Sequence, residues 1–138
     1  MSDKAYTVEI VTPRKVLYSG QAVSFTAPGE LGSFQVLRDH APLLAAIEIG
    51  ELKLREPSGS EILYATGGGF VEVLANRVVV LAESAERSDQ IDIRRAERAR
   101  ERAGERLKSR REEIDFERAK SSLLRALNRI RIAGGGAA

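Results

Sequence analysis

Residues 78–96 read VVVLAESAERSDQIDIRRA, and the hydrophobic pattern of the chain changes inside this stretch. Before it, apolar and polar residues alternate at a period of two, which is typical of strands with one buried face. After it, Ala and Leu recur at steps of three and four among Arg and Glu, which is typical of amphipathic helices. The change predicts a β domain over residues 1–84, a polar hinge over 85–90, a two-helix domain over 91–132 and a flexible Gly-rich tail over 133–138.

Toward the N-terminus, short alternating runs are separated by Pro, Gly, Asp and Asn residues. Evenly spaced short strands of this kind indicate a sandwich or barrel. Ala75-Asn76 predicts a tight turn, because Asn tolerates a left-handed backbone. We expect about eight to ten strands, and the runs that predict them cover residues 6–11, 22–27, 33–37, 43–47, 51–56, 61–65, 69–74 and 78–82.

Toward the C-terminus, the pattern predicts two helices, the first capped by Asp89 and the second by Asp115. One side of the first helix carries small apolar residues, namely Ile91, Ala96, Ala99, Ala103 and Leu107. One side of the second carries larger ones, namely Phe116, Ala119, Leu123, Leu127 and Ile130. These sides predict an antiparallel helical hairpin, of conditional stability because neither helix buries much surface alone.

Composition excludes several classes of protein. The chain has no cysteine and a single histidine, so disulfides, thiolate nucleophiles, Cys-based zinc sites and poly-imidazole metal sites are ruled out. No apolar run approaches the roughly 20 residues of a membrane span, and the start lacks the apolar stretch of a signal peptide, so we expect a cytosolic protein. Residues 1–84 hold 7 basic and 10 acidic residues, whereas residues 85–138 hold 15 and 10. A mildly acidic body therefore carries a basic appendage.

The β domain offers no credible catalytic constellation. Asp39-His40 could suggest a carboxylate that orients an imidazole, but adjacent side chains rarely face each other, and we interpret His40 as structural. Gly67-Gly68-Gly69 lacks the Lys-Ser/Thr ending of a phosphate-binding loop and precedes a strand, so it predicts a bend. The inventory favours a non-catalytic protein.

The helices offer a candidate anion site. Arg95 and Arg102 lie two turns apart on one helix, Arg125 and Arg129 lie one turn apart on the other, and a hairpin could bring all four together. Guanidinium groups suit phosphate oxygens because they present fixed bidentate donors. A solvated face with local ion pairs remains the alternative from spacing alone. Nucleic acid is a weaker candidate, because residues 85–138 carry ten acidic residues and almost no aromatic side chains for base stacking.

Several stretches follow one another in a specific order, namely VEIVTP over 8–13, GSFQVL over 32–37, HAPLL over 40–44, GGFVEV over 68–73 and VLAE over 80–83 with Ala85-Glu86. Taken together, they resemble the epsilon subunits of bacterial F-type ATP synthases over nearly the whole chain. Arg38-Asp39 replaces the Pro-Gly that often precedes the His in that family. The resemblance implies a non-catalytic subunit of the central stalk, whose sandwich binds the gamma subunit and the c-ring.

What the resemblance implies for the helices is regulation. Folded on the sandwich they would permit ATP hydrolysis, and extended they would contact the alpha and beta subunits and inhibit it. Residues 91–96, Ile-Asp-Ile-Arg-Arg-Ala, match the ATP-binding motif of that family. ATP would then be a regulatory ligand, with no metal, other cofactor, nucleic acid or membrane insertion, on a protein bound peripherally at the cytoplasmic face of the bacterial membrane. The implied ATP-binding residues are Glu86, Ile91, Asp92, Arg95, Arg102, Arg125 and Arg129.

Overall fold

The computed structural model describes residues 4–109 and 113–134. Within them the chain forms eight strands, a single-turn 3-10 helix at Ser88–Gln90 and two α-helices, α1 at Ile93–Ser109 and α2 at Glu113–Ala133. This is a β sandwich followed by two C-terminal helices, as the sequence predicts. The strands are β1 (Tyr6–Val11), β2 (Val16–Ala22), β3 (Ser24–Gly29), β4 (Gly32–Val36), β5 (Leu43–Arg55), β6 (Glu61–Leu74), β7 (Arg77–Ala82) and β8 (Ala85–Arg87).

The strands pair in the order β2-β1-β7-β6-β5-β3-β4, with β8 joined to β6. All pairs are antiparallel except that between β1 and β7. β6 pairs with β8 through its first half and with β7 through its second half, so the long strand runs through both parts of the sheet. Alternate residues point into one aliphatic core, which includes Val8, Phe25, Leu52, Val71 and Val80, each fully buried.

The predictions for the strands of residues 43–56 and 61–74 are wrong. Each of β5 and β6 is a single long strand, where the sequence suggested two short ones. Gly68 and Gly69, expected as a bend before a strand, lie inside β6 and bend it at φ of 105° and 142°. A Cβ atom on Gly69 would lie 2.1 Å from the carbonyl oxygen of Leu81. Glycine therefore lets the strand bend without ending.

The other strands follow the sequence pattern more closely. β2 was missed because it is an edge strand with mostly half-exposed residues and little alternation. The predicted turn at Ala75-Asn76 is confirmed, with φ values of 50° and 60°. The segment expected as a hinge holds β8, paired with Tyr64–Thr66 of β6, and the 3-10 turn. In this pose its first residues are hydrogen-bonded into the sheet.

The helix ends differ from the predicted ones. The carboxylate of Asp92 caps α1, since its Oδ1 accepts a hydrogen bond from the backbone N–H of Arg95 at 3.0 Å. Asp89, the predicted cap, lies in the 3-10 turn and pairs with Arg87 at 3.1 Å. The turn delays the first α-helical residue and so transfers the cap to the next aspartate. α2 begins at Glu113, before the predicted cap Asp115, and residues 135–138 of the expected tail lie outside the described residues.

The two helices pack through alanines. Ala96 and Ala103 of α1 and Ala119 and Ala126 of α2 are all at most 2% exposed. Leu127, expected on the apolar side of α2, is 42% exposed instead. Small side chains allow the two helix backbones to approach closely, so the hairpin is held by many short contacts over a narrow seam.

Candidate functional site

A cleft of about 330 Å³ lies where the start of α1, the second half of α2 and β8 meet. Its polar lining comes from five residues, Glu86, Asp92, Arg95, Arg102 and Arg129. These are five of the seven residues that the resemblance implies for ATP. Arg125 lines an adjoining cavity of about 180 Å³ together with Arg102 and Arg129, whereas Ile91 does not line the cleft.

The hairpin explains how distant arginines come together. Seven residues are two helical turns, so Arg95 and Arg102 face the same side of α1. Arg125 and Arg129 are one turn apart on α2 and reach the same space because α2 runs back along α1. The antiparallel arrangement therefore gathers, around two adjoining cavities, the four cations that the spacing selected.

Two acidic groups in the cleft already have defined contacts. The Oε1 atom of Glu86 lies 3.1 Å from Nε of Arg129, and both side chains are about one-third exposed. Asp92 uses its Oδ1 atom to cap α1, and Arg125 donates to the hydroxyl oxygen of Ser122 at 3.2 Å. Arg106 also lines the second cavity, so five guanidinium groups surround the two cavities against two carboxylates. This excess of positive charge favours a multiply charged anion.

A larger groove of about 690 Å³ lies between α2 and the β5-β6 pair. It has apolar walls from Phe70, Leu124 and Leu127, and its charged lining consists of three glutamates, Glu30, Glu48 and Glu83, and one arginine, Arg131. An anion would be repelled by this excess of negative charge. The smaller basic cleft is therefore the candidate ligand site.

Sequence reasoning missed three polar residues beside the cleft. Thr66, Ser84 and Asn128 line a pocket of about 150 Å³ that shares Glu86, Arg125 and Arg129 with the sites above. The Thr66 hydroxyl is buried and accepts from the backbone N–H of Gly68 at 3.1 Å. No spacing rule links a strand residue with a helix residue more than 60 positions away, so only the fold could bring them together.

The other sequence candidates have structural surroundings. The Oδ1 atom of Asp39 accepts from the side-chain amide of Asn76 at 3.0 Å, and His40 Nδ1 lies 2.6 Å from the carbonyl oxygen of Ala41. No carboxylate–imidazole pair is therefore formed at this position. Among the described residues, no three or more His, Cys, Asp or Glu side chains group together as metal ligands would. Neither helix, over its described residues, is long and apolar enough to cross a membrane.

A second surface of interest is the outer apolar face, which we define as Leu44, Phe70, Leu74 and Leu81. These side chains are 52% to 71% exposed, and they lie on the neighbouring strands β5, β6 and β7. Phe70 pairs directly with Leu81, and Leu44 pairs with Glu72, which stands between Phe70 and Leu74 on the same side of β6. Exposed apolar side chains grouped in this way, here around the single carboxylate of Glu72, are typical of a protein-binding surface.

The structure thus joins a sandwich that has an apolar outer face to a helical hairpin that has a basic cleft. Two family models match consecutive parts of the chain. "ATP synthase, Delta/Epsilon chain, beta-sandwich domain" matches residues 5–88, and "ATP synthase, Delta/Epsilon chain, long alpha-helix domain" matches residues 89–134. The chain belongs to the ATP synthase delta/epsilon chain family, which confirms the resemblance seen in the sequence.

Relatives of similar length carry the same description. The "ATP synthase epsilon chain" of Desulforamulus reducens is 45% identical over 130 residues, which cover 94% of this chain and 98% of the relative. That of Nitratidesulfovibrio vulgaris is 45% identical over 132 residues, which cover 96% and 98%. A chain in the mitochondrial ATP synthase structure from Euglena gracilis, solved with OSCP, F1 and c-ring, superposes with a TM-score of 0.75. It is 19% identical and the match covers 85% of this chain and 74% of that one, so this likeness concerns the fold.

Proposed function

We propose that the chain is the epsilon subunit of a bacterial proton-translocating ATP synthase, a non-catalytic part of the central stalk that turns with the rotor. Residues 1–84 would bind the gamma subunit and the c-ring. The observation that carries this proposal is the outer apolar face on β5, β6 and β7, because a rigid sheet with exposed Leu and Phe side chains is suited to a permanent protein contact. The protein would be held peripherally at the cytoplasmic face of the membrane through these partners.

Phe70 tests the gamma contact. Its ring is 52% exposed, and burying a Phe side chain contributes about 1.5–3 kcal/mol, so we expect Phe70→Glu to weaken binding to purified gamma by roughly tenfold or more. Phe70→Leu keeps an apolar side chain at the same position and should bind nearly as wild type. Ser58→Glu adds the same charge in the exposed β5-β6 loop and controls for charge alone. Gamma binding that survives Phe70→Glu would remove the outer apolar face from the proposal.

The helical domain, 91–132, would regulate hydrolysis. Folded on the sandwich, as described above, it permits hydrolysis, and extended it contacts the alpha and beta subunits and inhibits. The segment 85–90 would serve as the hinge and 133–138 as the flexible tail. The narrow alanine seam supports this role, because two helices joined over so little apolar surface are only marginally stable.

ATP would be the ligand that stabilises the folded pose. Four of the arginines that line the two adjoining cavities, Arg95, Arg102, Arg125 and Arg129, would supply donors for a triphosphate, and separation of α1 from α2 would divide these four into two pairs. A ligand shifts a two-state equilibrium only by its differential affinity, so ATP favours the pose in which the arginines are together. At a hundred times its dissociation constant such a ligand adds about 2.7 kcal/mol to that pose.

Arg95 and Arg100 form a matched pair for testing ATP binding. Both are exposed arginines on α1, but Arg95 lines the cleft and Arg100 does not. Isothermal titration of the full chain should show Arg95→Ala weakening ATP binding and Arg100→Ala changing it little. Equal loss in both variants would mean diffuse charge attraction, and no heat from wild type at millimolar ATP would refute the proposed ligand.

A further inference from the structure

Asn128 is a polar residue of α2 whose side chain is buried, with 8% of its surface exposed. Its Nδ2 atom donates a hydrogen bond at 2.8 Å to the carbonyl oxygen of Gly50, in the middle of β5. This bond joins residues 78 positions apart and connects the helical domain directly to the sandwich. Buried amides are costly unless paired, so this contact favours one particular placement of α2.

The oxygen atom of the same side-chain amide also has a hydrogen-bond partner. Arg131 donates to Oδ1 of Asn128 at 3.0 Å, which fixes the orientation of the amide as well as its position. Asn128 lies one residue before Arg129, which pairs with Glu86 at 3.1 Å, and three residues after Arg125. Asn128 thus lies in sequence between the two arginines that α2 contributes to the basic cleft and its adjoining cavity, Arg129 and Arg125.

Apolar contacts alone would not fix the register of α2, that is, its position along its own axis relative to the sandwich. A helix rises 1.5 Å per residue, so a slide of one turn moves every side chain by about 5.4 Å and would remove Arg129 from Glu86. Contacts made by alanine and isoleucine are non-directional and tolerate such shifts. A hydrogen bond to one carbonyl oxygen does not, since it weakens steeply with distance and angle.

We propose that Asn128 is a positioning residue, which fixes α2 on the sandwich in the register that pairs Arg129 with Glu86 and places Arg125 beside the same pocket. The part of this inference that concerns ATP rests on the proposed function, whereas the part that concerns docking of the helices does not. The docked pose would then be selected by one directional bond and consolidated by the ion pair beside it.

Asn128→Leu separates the donor from simple packing. Leucine has a similar shape, is a better helix former and adds apolar surface, so packing and helix propensity would both favour docking. It leaves the Gly50 carbonyl oxygen buried without this donor, and we expect the ratio of docked to undocked molecules to fall by about tenfold. Lys120→Leu is the matched control, because it introduces the same residue at an exposed position of the same helix.

The experiment uses the full chain without ATP, with spin labels on Ser58→Cys and Glu117→Cys. The native sequence has no cysteine, so only these two positions react. Pulsed EPR then measures the distance between the label on the sandwich and the label on α2. Thermal melting of the sandwich checks that the β domain is intact. Asn128→Leu should shift molecules from the short to the long distance, and Lys120→Leu should match wild type. An unchanged distance distribution in Asn128→Leu, or a wild type without the docked distance, would overturn the proposal.

ATP titrations separate this inference from the proposed ligand. Asn128→Leu should raise the apparent dissociation constant by the factor by which the docked fraction falls, since only docked molecules present the cleft. Arg95→Ala should lose affinity with the label distance unchanged. If wild type binds no ATP but Asn128→Leu still undocks α2, the ligand proposal fails and the positioning role stands.

Discussion

The alanine seam makes the hairpin sensitive to a single enlarged side chain. Ala126 of α2 is 0% exposed. Ala103 and Ala96 lie 6 and 13 residues before the end of α1 at Ser109, and Ala119 and Ala126 lie 6 and 13 residues after the start of α2 at Glu113. Small residues therefore stand at matched levels of the antiparallel pair. Ala126→Leu inserts three carbons where two backbones approach. Overpacking of this kind costs about 1–3 kcal/mol, and each 1.4 kcal/mol is a tenfold change in an equilibrium constant.

We therefore expect Ala126→Leu to lower the ratio of closed to open hairpin by about 5- to 150-fold, which for a marginal hairpin means that α1 and α2 are largely separated. Hydrogen exchange of the α1 amides measures this directly, because protection of a local unit reports its opening free energy. Lys120→Leu, an equal enlargement at an exposed position, should retain wild-type protection. Equal protection of α1 in Ala126→Leu and wild type would refute the conclusion that the seam is closely packed.

Two further predictions concern a helix cap and alkaline stability. Asp92→Ala should cost about 1 kcal/mol of helix stability and reduce the helical signal in circular dichroism, because the Arg95 N–H loses its acceptor, whereas Asp89→Ala should change little. Burial, followed by the hydrogen bond to Glu56 at 2.8 Å, raises the pKa of Tyr18. Because the folded pKa exceeds the unfolded value of 10.0, the stabilisation is complete below pH 10 and is lost as pH rises above it. Tyr18→Phe should thus be less stable than wild type near pH 8 yet lose less stability between pH 9 and 11 in chemical denaturation.

The sequence predicts the class of fold because local periodicity is conserved in the finished structure. The spacing of two between Val8 and Ile10 predicts a strand from the sequence, and in the structure both side chains are fully buried on one face of β1. Strand continuity was not predictable, because Gly68 and Gly69 can end a strand or bend it, and the choice depends on how β6 contacts its neighbours. The same limit applies to β2, whose edge position is a property of the whole sheet.

Only some of the residues at and beside the basic cleft could be predicted from the sequence. Helical spacing selects Arg95 with Arg102 and Arg125 with Arg129, since both pairs lie within one element. Asn128 carries no such signal, because its partner is a backbone carbonyl oxygen on β5 and backbone groups are the same at every residue. The prediction that Asp89 caps α1 is wrong for a related reason. Two aspartates, Asp89 and Asp92, precede the helix, and the 3-10 turn determines which of them can act as the cap.

The central claim is that a sandwich bound to gamma carries removable, inhibitory helices, and one reconstitution tests it most directly. A fragment of residues 1–88 retains all eight strands, including β8, and omits both helices. Catalytic complexes of alpha, beta and gamma are assembled with either this fragment or the full chain, and epsilon incorporation and ATP hydrolysis are measured on the same samples. The account predicts equal incorporation and faster hydrolysis with the fragment. Equal incorporation with unchanged hydrolysis would contradict the regulatory role, and failure of a folded fragment to incorporate would contradict the assignment of gamma binding to the sandwich.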